Sequence, residues 1–412
     1  MFPKPESCKL FFFISIILFI ALIQYMASEY LETISIPLIK FLQKDSYLVK
    51  SMELVSYIGS KNVKFILMII IFCTCNIYHS FVYTFVCYFS MFICAWLKLI
   101  WQQGRPYWIS DEIIPFECEP GFGYPSNHVL TTVVSFFTLF EILYQHFNIE
   151  SYVNSKIFYW VGITVTFLLC ASIGFGRIVQ GVHSLDQAIF GLLMGLSIYY
   201  FFLHLTVLKM NNMNYFLNMI SNKYHSAKLL TSIIIIYLIF LVHIFFTPTE
   251  YNPEYVGRVL LKCPTSTPFA KSVFASGHYF MVLGMIFGIL YDVKYNYLKK
   301  FKTQELPHEY LEDNIYKYEI KGIIKKEHTQ HIINEDFNYH FYLKVIARII
   351  ILYFITKVLK FVCSCGIYMF EINLITKFLF WQVLYNLSIG LFIFGCGRRF
   401  CELFRLNPSE KI

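Results

Sequence analysis

The chain has 412 residues, of which 57% are hydrophobic, 19% aromatic and only 15% charged, with a net charge of +8. This balance lies well outside that of soluble domains, and twelve cysteines in a chain of this size do not form the pattern of a disulfide scaffold. The expected class is an all-α, polytopic bundle of about ten transmembrane helices, with membrane lipid as its surroundings and no nucleic-acid partner.

Apolar runs long enough to cross roughly 30 Å of hydrocarbon recur at about 9–28, 62–79, 80–103, 126–147, 156–176, 184–207, 227–248, 272–293, 342–364 and 374–396. The first, "FFFISIILFIALIQY", follows a basic start. A cleaved signal and a retained anchor leave the same topology after it. Apolar spacing in 29–61 suggests helices lying at the membrane interface. The chain then divides into an N-terminal segment 1–61, a central core 62–207 and a C-terminal part 208–412, whose charged stretch at 294–341 reads as a solvated loop. Lys and Arg collect at Lys4 and Lys9, at Lys209, Lys223 and Lys228, at Lys299, Lys300 and Lys302, and at Arg398, Arg399 and Arg405. With ten crossings all four clusters fall on one side, the cytoplasmic one. Cys118 and Cys263 then lie in polar loops on the other, oxidising side, where they either form a bridge or remain two free thiols.

Three polar motifs share that non-cytoplasmic face. Lys98 and Arg105, in "KLIWQQGRP", are two helical turns apart and project from one face before Pro106 ends the helix. In "GYPSNHVL", Pro125 and Ser126 open a helix whose first N–H groups attract anions, with Asn127 and His128 in its first turn. In "GRIVQGVHSLDQ", Arg177 precedes His183, and Asp186 and Gln187 follow it at helical spacing, where either can hold one imidazole nitrogen and leave the other free as a nucleophile. Two Arg, a Lys, a helix start and two His on one face suit phosphate binding and phosphoryl transfer. Cationic side chains then neutralise charge where a metal does so elsewhere, and no metal or other cofactor is expected.

The order Lys98…Arg105-Pro106, Pro125-Ser126-Asn127-His128, Arg177…His183 resembles the type 2 phosphatidic acid phosphatase/haloperoxidase superfamily. "GRPYW" (104–108), "CEPGFGYPSNH" (118–128) and "STPFA" (266–270) are similar to its glucose-6-phosphatase branch. The resemblance implies a six-helix phosphatase core and a multi-pass protein of the endoplasmic reticulum or another endomembrane, with its active site on the non-cytoplasmic side. It implies hydrolysis of a phosphomonoester, either a sugar phosphate or a lipid phosphate, and a phosphate-binding relative without catalysis is the rival reading. His183 would be the nucleophile and His128 the acid. Lys98, Arg105 and Arg177 would bind phosphate, with backbone N–H groups from Ser126 and Asn127.

Three positions depart from the family pattern: Asn127 stands where Gly is usual, Gly176 where Ser is usual, and Gln187 where the wider superfamily has Asp, so that Asp186 is a candidate for the orienting role. A near-copy of the second motif, "ASGH" at 275–278, lacks the preceding Pro and any following Arg-x5-His, and reads as small residues packed within the membrane.

Overall fold

The computed structural model describes residues 5–75, 77–119, 121–146, 155–202, 223–247, 253–262, 272–273, 275–292, 339–368 and 379–397. Every regular element among them is helical. In chain order these are α1 (Pro5–Leu42), α2 (Ser46–Ile58), α3 (Lys61–Thr74), α4 (Ile77–Trp101), the single turn α5 (Pro106–Ile109), α6 (Asn127–His146), α7 (Ser155–Val179), α8 (Leu185–Tyr200), α9 (Lys223–Phe246), α10 (Pro253–Lys262), α11 (Tyr279–Asp292) and α12 (Tyr339–Tyr368). The last, α13, passes from π-helix (Leu379–Leu384) through α-helix (Tyr385–Leu391) to π-helix (Phe392–Cys396). Loop 294–338, "STPFA" and the last basic cluster lie outside the described residues.

Local chemistry sets the helix starts near the site. The Asp45 carboxylate accepts from the N–H groups of Tyr47 and Leu48 at 2.9 and 3.1 Å and caps α2. Ser60 caps α3 through the Val63 N–H, and Pro106, which has no N–H to lose, opens α5.

Among the described residues, five segments are long and apolar enough to cross a membrane: Ser46–Thr74, Ile77–Ile109, Asn127–Gln145, Lys156–Val179 and Tyr224–Phe246. The chain is an integral membrane protein. Several of the other expected spans correspond to shorter apolar helices, Leu185–Tyr200, Tyr279–Asp292 and Gln382–Cys396. Burial sorts the longer ones into layers. The spans in α4 and α6 are 67% and 72% buried and form the centre, whereas those in α7 and α9 are 17% and 11% buried and turn rows such as Trp160, Val165 and Leu168, or Leu238 and Phe245, outward toward lipid. Around the centre, α6 packs on α4, α7 and α8, α11 on α13, and α12 on α3.

The N-terminal segment departs from expectation. No break occurs near residue 28: α1 runs on to Leu42, with Pro37 inside it. The stretch expected at the interface instead packs into the bundle against α8, burying Ser35 and Ile39. Ser35 Oγ accepts from the Leu185 N–H at 2.9 Å, so α1 helps to fix the start of α8. Gln43, just beyond α1, donates to the carbonyls of Ile114 and Val179 at 2.9 and 3.2 Å and accepts from the Ile114 N–H. The N-terminal segment is therefore part of the wall of the polar site.

Candidate active site

Three segments meet at one end of the bundle: the turn around α5, the loop leading into α6, and the turn from α7 into α8. Arg105, the residue before α5, is buried and fully committed in direction. Its Nε donates to Gly121 O at 2.6 Å, and its terminal nitrogens donate to Val182 O at 2.7 Å and Phe122 O at 3.3 Å. These carbonyls orient the guanidinium, whose remaining donors face His183 Nε2 at 3.1 Å and Glu119 at 2.7 Å. Lys98, also buried, donates to Phe122 O and so braces the same loop from α4.

Arg177, near the end of α7, has no exposed surface. It donates to Ser56 Oγ and Gln180 Oε1, each at 3.0 Å, to Glu119 Oε1 at 2.6 Å, and to Glu117. Ser56 belongs to α2, and the departure at Gly176 follows from its approach. A Cβ on Gly176 would lie 3.1 Å from Met52 O and 3.7 Å from Ser56 Cβ. Glycine lets α2 come close enough for Ser56 to supply a hydroxyl to Arg177.

Gln187, rather than Asp186, orients His183. The Gln187 side-chain nitrogen donates to Gly104 O at 2.7 Å and Gln103 Oε1 at 3.3 Å, so its oxygen is the atom 3.0 Å from His183 Nδ1. That amide orientation places the imidazole proton on Nδ1 and the lone pair on Nε2, toward Arg105 and Glu119. Asp186 is turned away, accepting from Gln103 at 3.1 Å. Gly123 makes room for this arrangement, since a Cβ there would stand 2.4 Å from Gln187 Oε1. Burial, and after it Arg105, push the His183 imidazole down from 6.5 to about 3, so at neutral pH it is uncharged.

The α6 start differs in detail from the expectation. The Ser126 N–H is taken by Gln187 O at 3.0 Å, and its buried hydroxyl has no partner among the described residues. Asn127 opens α6 with a negative φ, a conformation open to any residue, so glycine is not required for the backbone path. His128 follows, with Nδ1 3.3 Å from Glu119 Oε1.

Glu119 is the group that the motif spacing did not single out. Its carboxylate lies between Arg105 and Arg177 at 2.7 and 2.6 Å, with His128 at 3.3 Å and His183 Nε2 at 3.7 Å. Its backbone is tied by the Tyr107 hydroxyl, which donates to Glu119 O at 2.6 Å. Burial would raise its carboxyl, yet Arg177, Arg105 and His128 together hold it well below 4.5. Glu117, Glu119 and His128 also bring their donor atoms within 4.8 Å of one another, close enough for a metal ion. Two guanidinium groups already engage those carboxylates, however, and the field at this point attracts anions. In the same loop Cys118 carries an exposed free thiol, which does not support the bridge reading; Cys263 itself lies outside the described residues.

Comparison with known proteins bears on the same stretch of chain. A search of the curated proteins finds no match. Among solved structures, a transmembrane PAP2 type phosphatidylglycerolphosphate phosphatase from Bacillus subtilis is similar at 16% identity and a TM-score of 0.36, over 47% of this chain and 92% of that one. Residues 79–211, which carry Lys98, Arg105, Ser126, Asn127, His128, Arg177, His183, Asp186 and Gln187, match the model of the PAP2 superfamily.

Proposed function

We propose that this protein is a membrane phosphatase that hydrolyses a phosphomonoester through a phosphohistidine on His183. The observation that carries the proposal is the position of the Glu119 carboxylate. An anion held by two guanidinium groups, with one imidazole at 3.3 Å and another at 3.7 Å, marks where a phosphoryl group would bind. Substrate takes that position when Glu119 swings out, so the carboxylate and the phosphate compete for the same cations.

With phosphate bound, the His183 Nε2 lone pair attacks phosphorus as the bond to the leaving oxygen breaks. His128 gives that oxygen a proton. Gln187 accepts the Nδ1 hydrogen bond and keeps the ring in the reactive tautomer. Arg105 and Arg177 stabilise the charge spread over the three equatorial oxygens. Water then attacks the phosphohistidine, His128 takes up a proton from it, and phosphate departs with the Nε2 lone pair restored. The resemblance to the glucose-6-phosphatase branch makes a soluble sugar phosphate the preferred substrate in this reading, with a lipid phosphate as the alternative.

The test is brief incubation of purified protein with labelled glucose 6-phosphate, phosphatidic acid or a nitrophenyl phosphate, followed by alkaline quench and peptide mapping. Alkali-stable, acid-labile label on His183 is expected. His183→Ala should remove both label and turnover, whereas His128→Ala should still label with the nitrophenyl ester, whose leaving group needs little protonation. Hydrolysis without label at His183 would overturn the mechanism, and phosphate binding without hydrolysis of any ester would make the protein a binding relative.

A further inference from the structure

A cavity of about 190 Å³ opens between α3, α4, α11, α12 and α13. It shares no residue with the phosphate site. Its mouth carries Lys61, Lys357 and Lys360, which are exposed, and its deeper wall carries Lys64, Tyr83 and Asn386, which are buried. No Asp or Glu is among the described residues that line it. His278, the histidine of the "ASGH" near-copy, also lines this cavity, with its ring 6.1 Å from that of Tyr88, and so stands away from the phosphate site.

Lys64 decides what the cavity is built to hold. Its side chain is 4% exposed, and its Nζ donates to the Thr131 hydroxyl. Among the described residues it has no carboxylate partner, and neither has Lys357, whose ammonium lies 4.9 Å from the centre of the Tyr353 ring. An ammonium taken out of water costs several kcal/mol unless a counter-charge meets it, and one hydroxyl is not a counter-charge. Lysine ammonium groups are compact, strongly hydrated donors suited to phosphate. The volume falls below the roughly 300 Å³ at which pockets for drug-sized ligands begin, so it fits one headgroup or a small ion.

We infer that this cavity is a second anion site, taking a phosphate group between Lys64 and Lys357, separate from the site at His183. It also reaches the proposed acid. Thr131, which accepts from Lys64, lies one turn beyond His128 on α6 and donates to Asn127 O at 2.7 Å. An anion on Lys64 therefore acts on the first turn of α6 through a single hydroxyl.

The phosphate group belongs either to a free ion or to an anionic lipid, and two arms separate these sources. In phosphatidylcholine nanodiscs, equilibrium binding of labelled inorganic phosphate to the full chain is compared for wild type, Lys64→Met, Lys357→Gln and Lys357→Arg. In the lipid arm, detergent-purified samples of the same proteins, loaded beforehand with phosphatidylglycerol, are analysed for retained lipid by native mass spectrometry. The expected result is a class of bound phosphate, or of retained phosphatidylglycerol, weakened at least tenfold in Lys64→Met and Lys357→Gln and kept in Lys357→Arg. Thermal unfolding without ligand reports whether each variant is folded, and Lys357→Gln, at an exposed position, keeps the test available if Lys64→Met is not. Phosphate bound at the His183 site appears as a separate class sensitive to Arg105→Lys, so loss of that class alone speaks against the phosphatase reading and not against this one. Identical phosphate binding and identical lipid retention in wild type and Lys357→Gln would overturn the inference.

Discussion

Replacing Glu119 by Gln tests whether its carboxylate holds the place of substrate. The side chain keeps its shape and loses its charge. In the wild type the carboxylate takes charge-assisted hydrogen bonds from Arg177 at 2.6 Å and Arg105 at 2.7 Å. Each bond to a charged group contributes about 1.5–3 kcal/mol, and an amide oxygen keeps about half of that. The difference over two bonds is then about 1.5–3 kcal/mol, which corresponds to roughly ten- to hundredfold in affinity for a competing anion. Glu119 is 18% exposed, and solvent screening moves the expectation toward the lower end. The inhibition constant for inorganic phosphate at pH 7 should therefore fall about tenfold in Glu119→Gln, with a lower KM and with kcat unchanged or reduced by slower phosphate release. The pH dependence has a definite sign. Because the carboxyl is held well below 4.5 by Arg177, Arg105 and His128 against the effect of burial, it stays ionised at pH 5–7, and its competition fades only as pH falls through the folded-state value. The ratio of wild-type to variant inhibition constants should thus be flat from pH 5 to 7. A variant that binds phosphate no better than wild type, or worse, would mean that Glu119 positions the arginines for substrate and does not stand in for it.

Lysine should not replace Arg105, since a point charge loses the fork that reaches three carbonyls, His183 and the bound anion; turnover should drop about a hundredfold at an unchanged unfolding temperature. Gln187→Ala should cost roughly 10- to 100-fold in kcat, because His183 Nδ1 loses its acceptor, while Asp186→Asn stays within a few fold; equal losses in the two would return the orienting role to Asp186. Gly176→Ser, which introduces the residue of the resembled pattern, should lower stability by about 1–3 kcal/mol in denaturant titration because its Cβ meets Met52 O at 3.1 Å. Asn127→Gly should leave kcat/KM within about twofold, as the backbone at this position already has a negative φ; a large gain would show that the Asn side chain obstructs phosphate.

Much of the architecture could be read from residue types alone, because hydrophobic runs of membrane length have few alternatives to a helix. The ends of those runs were less legible. Residues 29–42 carry enough apolar positions to suggest an interfacial helix, yet they continue α1 and bury Ser35 and Ile39 against α8. Nothing in their local pattern distinguishes a lipid surface from a helix surface, since both reward the same apolar face. The cationic side chains and histidines announced themselves by spacing, because Arg and Lys are costly near a membrane without an anion to hold. Asp186 drew attention as a carboxylate near His183, but its neighbour's amide is the group that fits beneath Gly123. Glu119 did carry a signal: it is an acid within a loop flanked by three cationic motif residues, where an unpaired carboxylate would be drawn in. Ser56 carried none, for its part in the site depends on the approach of α2 to Gly176, which is a property of the fold.

The site's cations are held by two kinds of partner, and the difference assigns their freedom. Carbonyls of Gly121, Phe122 and Val182 hold Arg105, and those atoms belong to loop backbone that is itself fixed, as where the Gly123 N–H donates to Gln103 O at 2.9 Å. Carboxylates hold Arg177, and one of them, Glu117, is about half exposed. In the proposed mechanism, where substrate displaces Glu119, Arg105 keeps its three carbonyl contacts and Arg177 keeps Ser56 and Gln180, so both guanidinium groups stay aimed while a single side chain moves. Preorganisation of this kind means that the reorganisation on binding is concentrated in the loop 110–126. That loop is anchored at one end by α5 and at the other by the Ser126 N–H to Gln187 O bond at 3.0 Å. Gln187 thereby joins three functions at one residue: it orients His183, braces Gly104 beside Arg105, and ties down the entrance to α6.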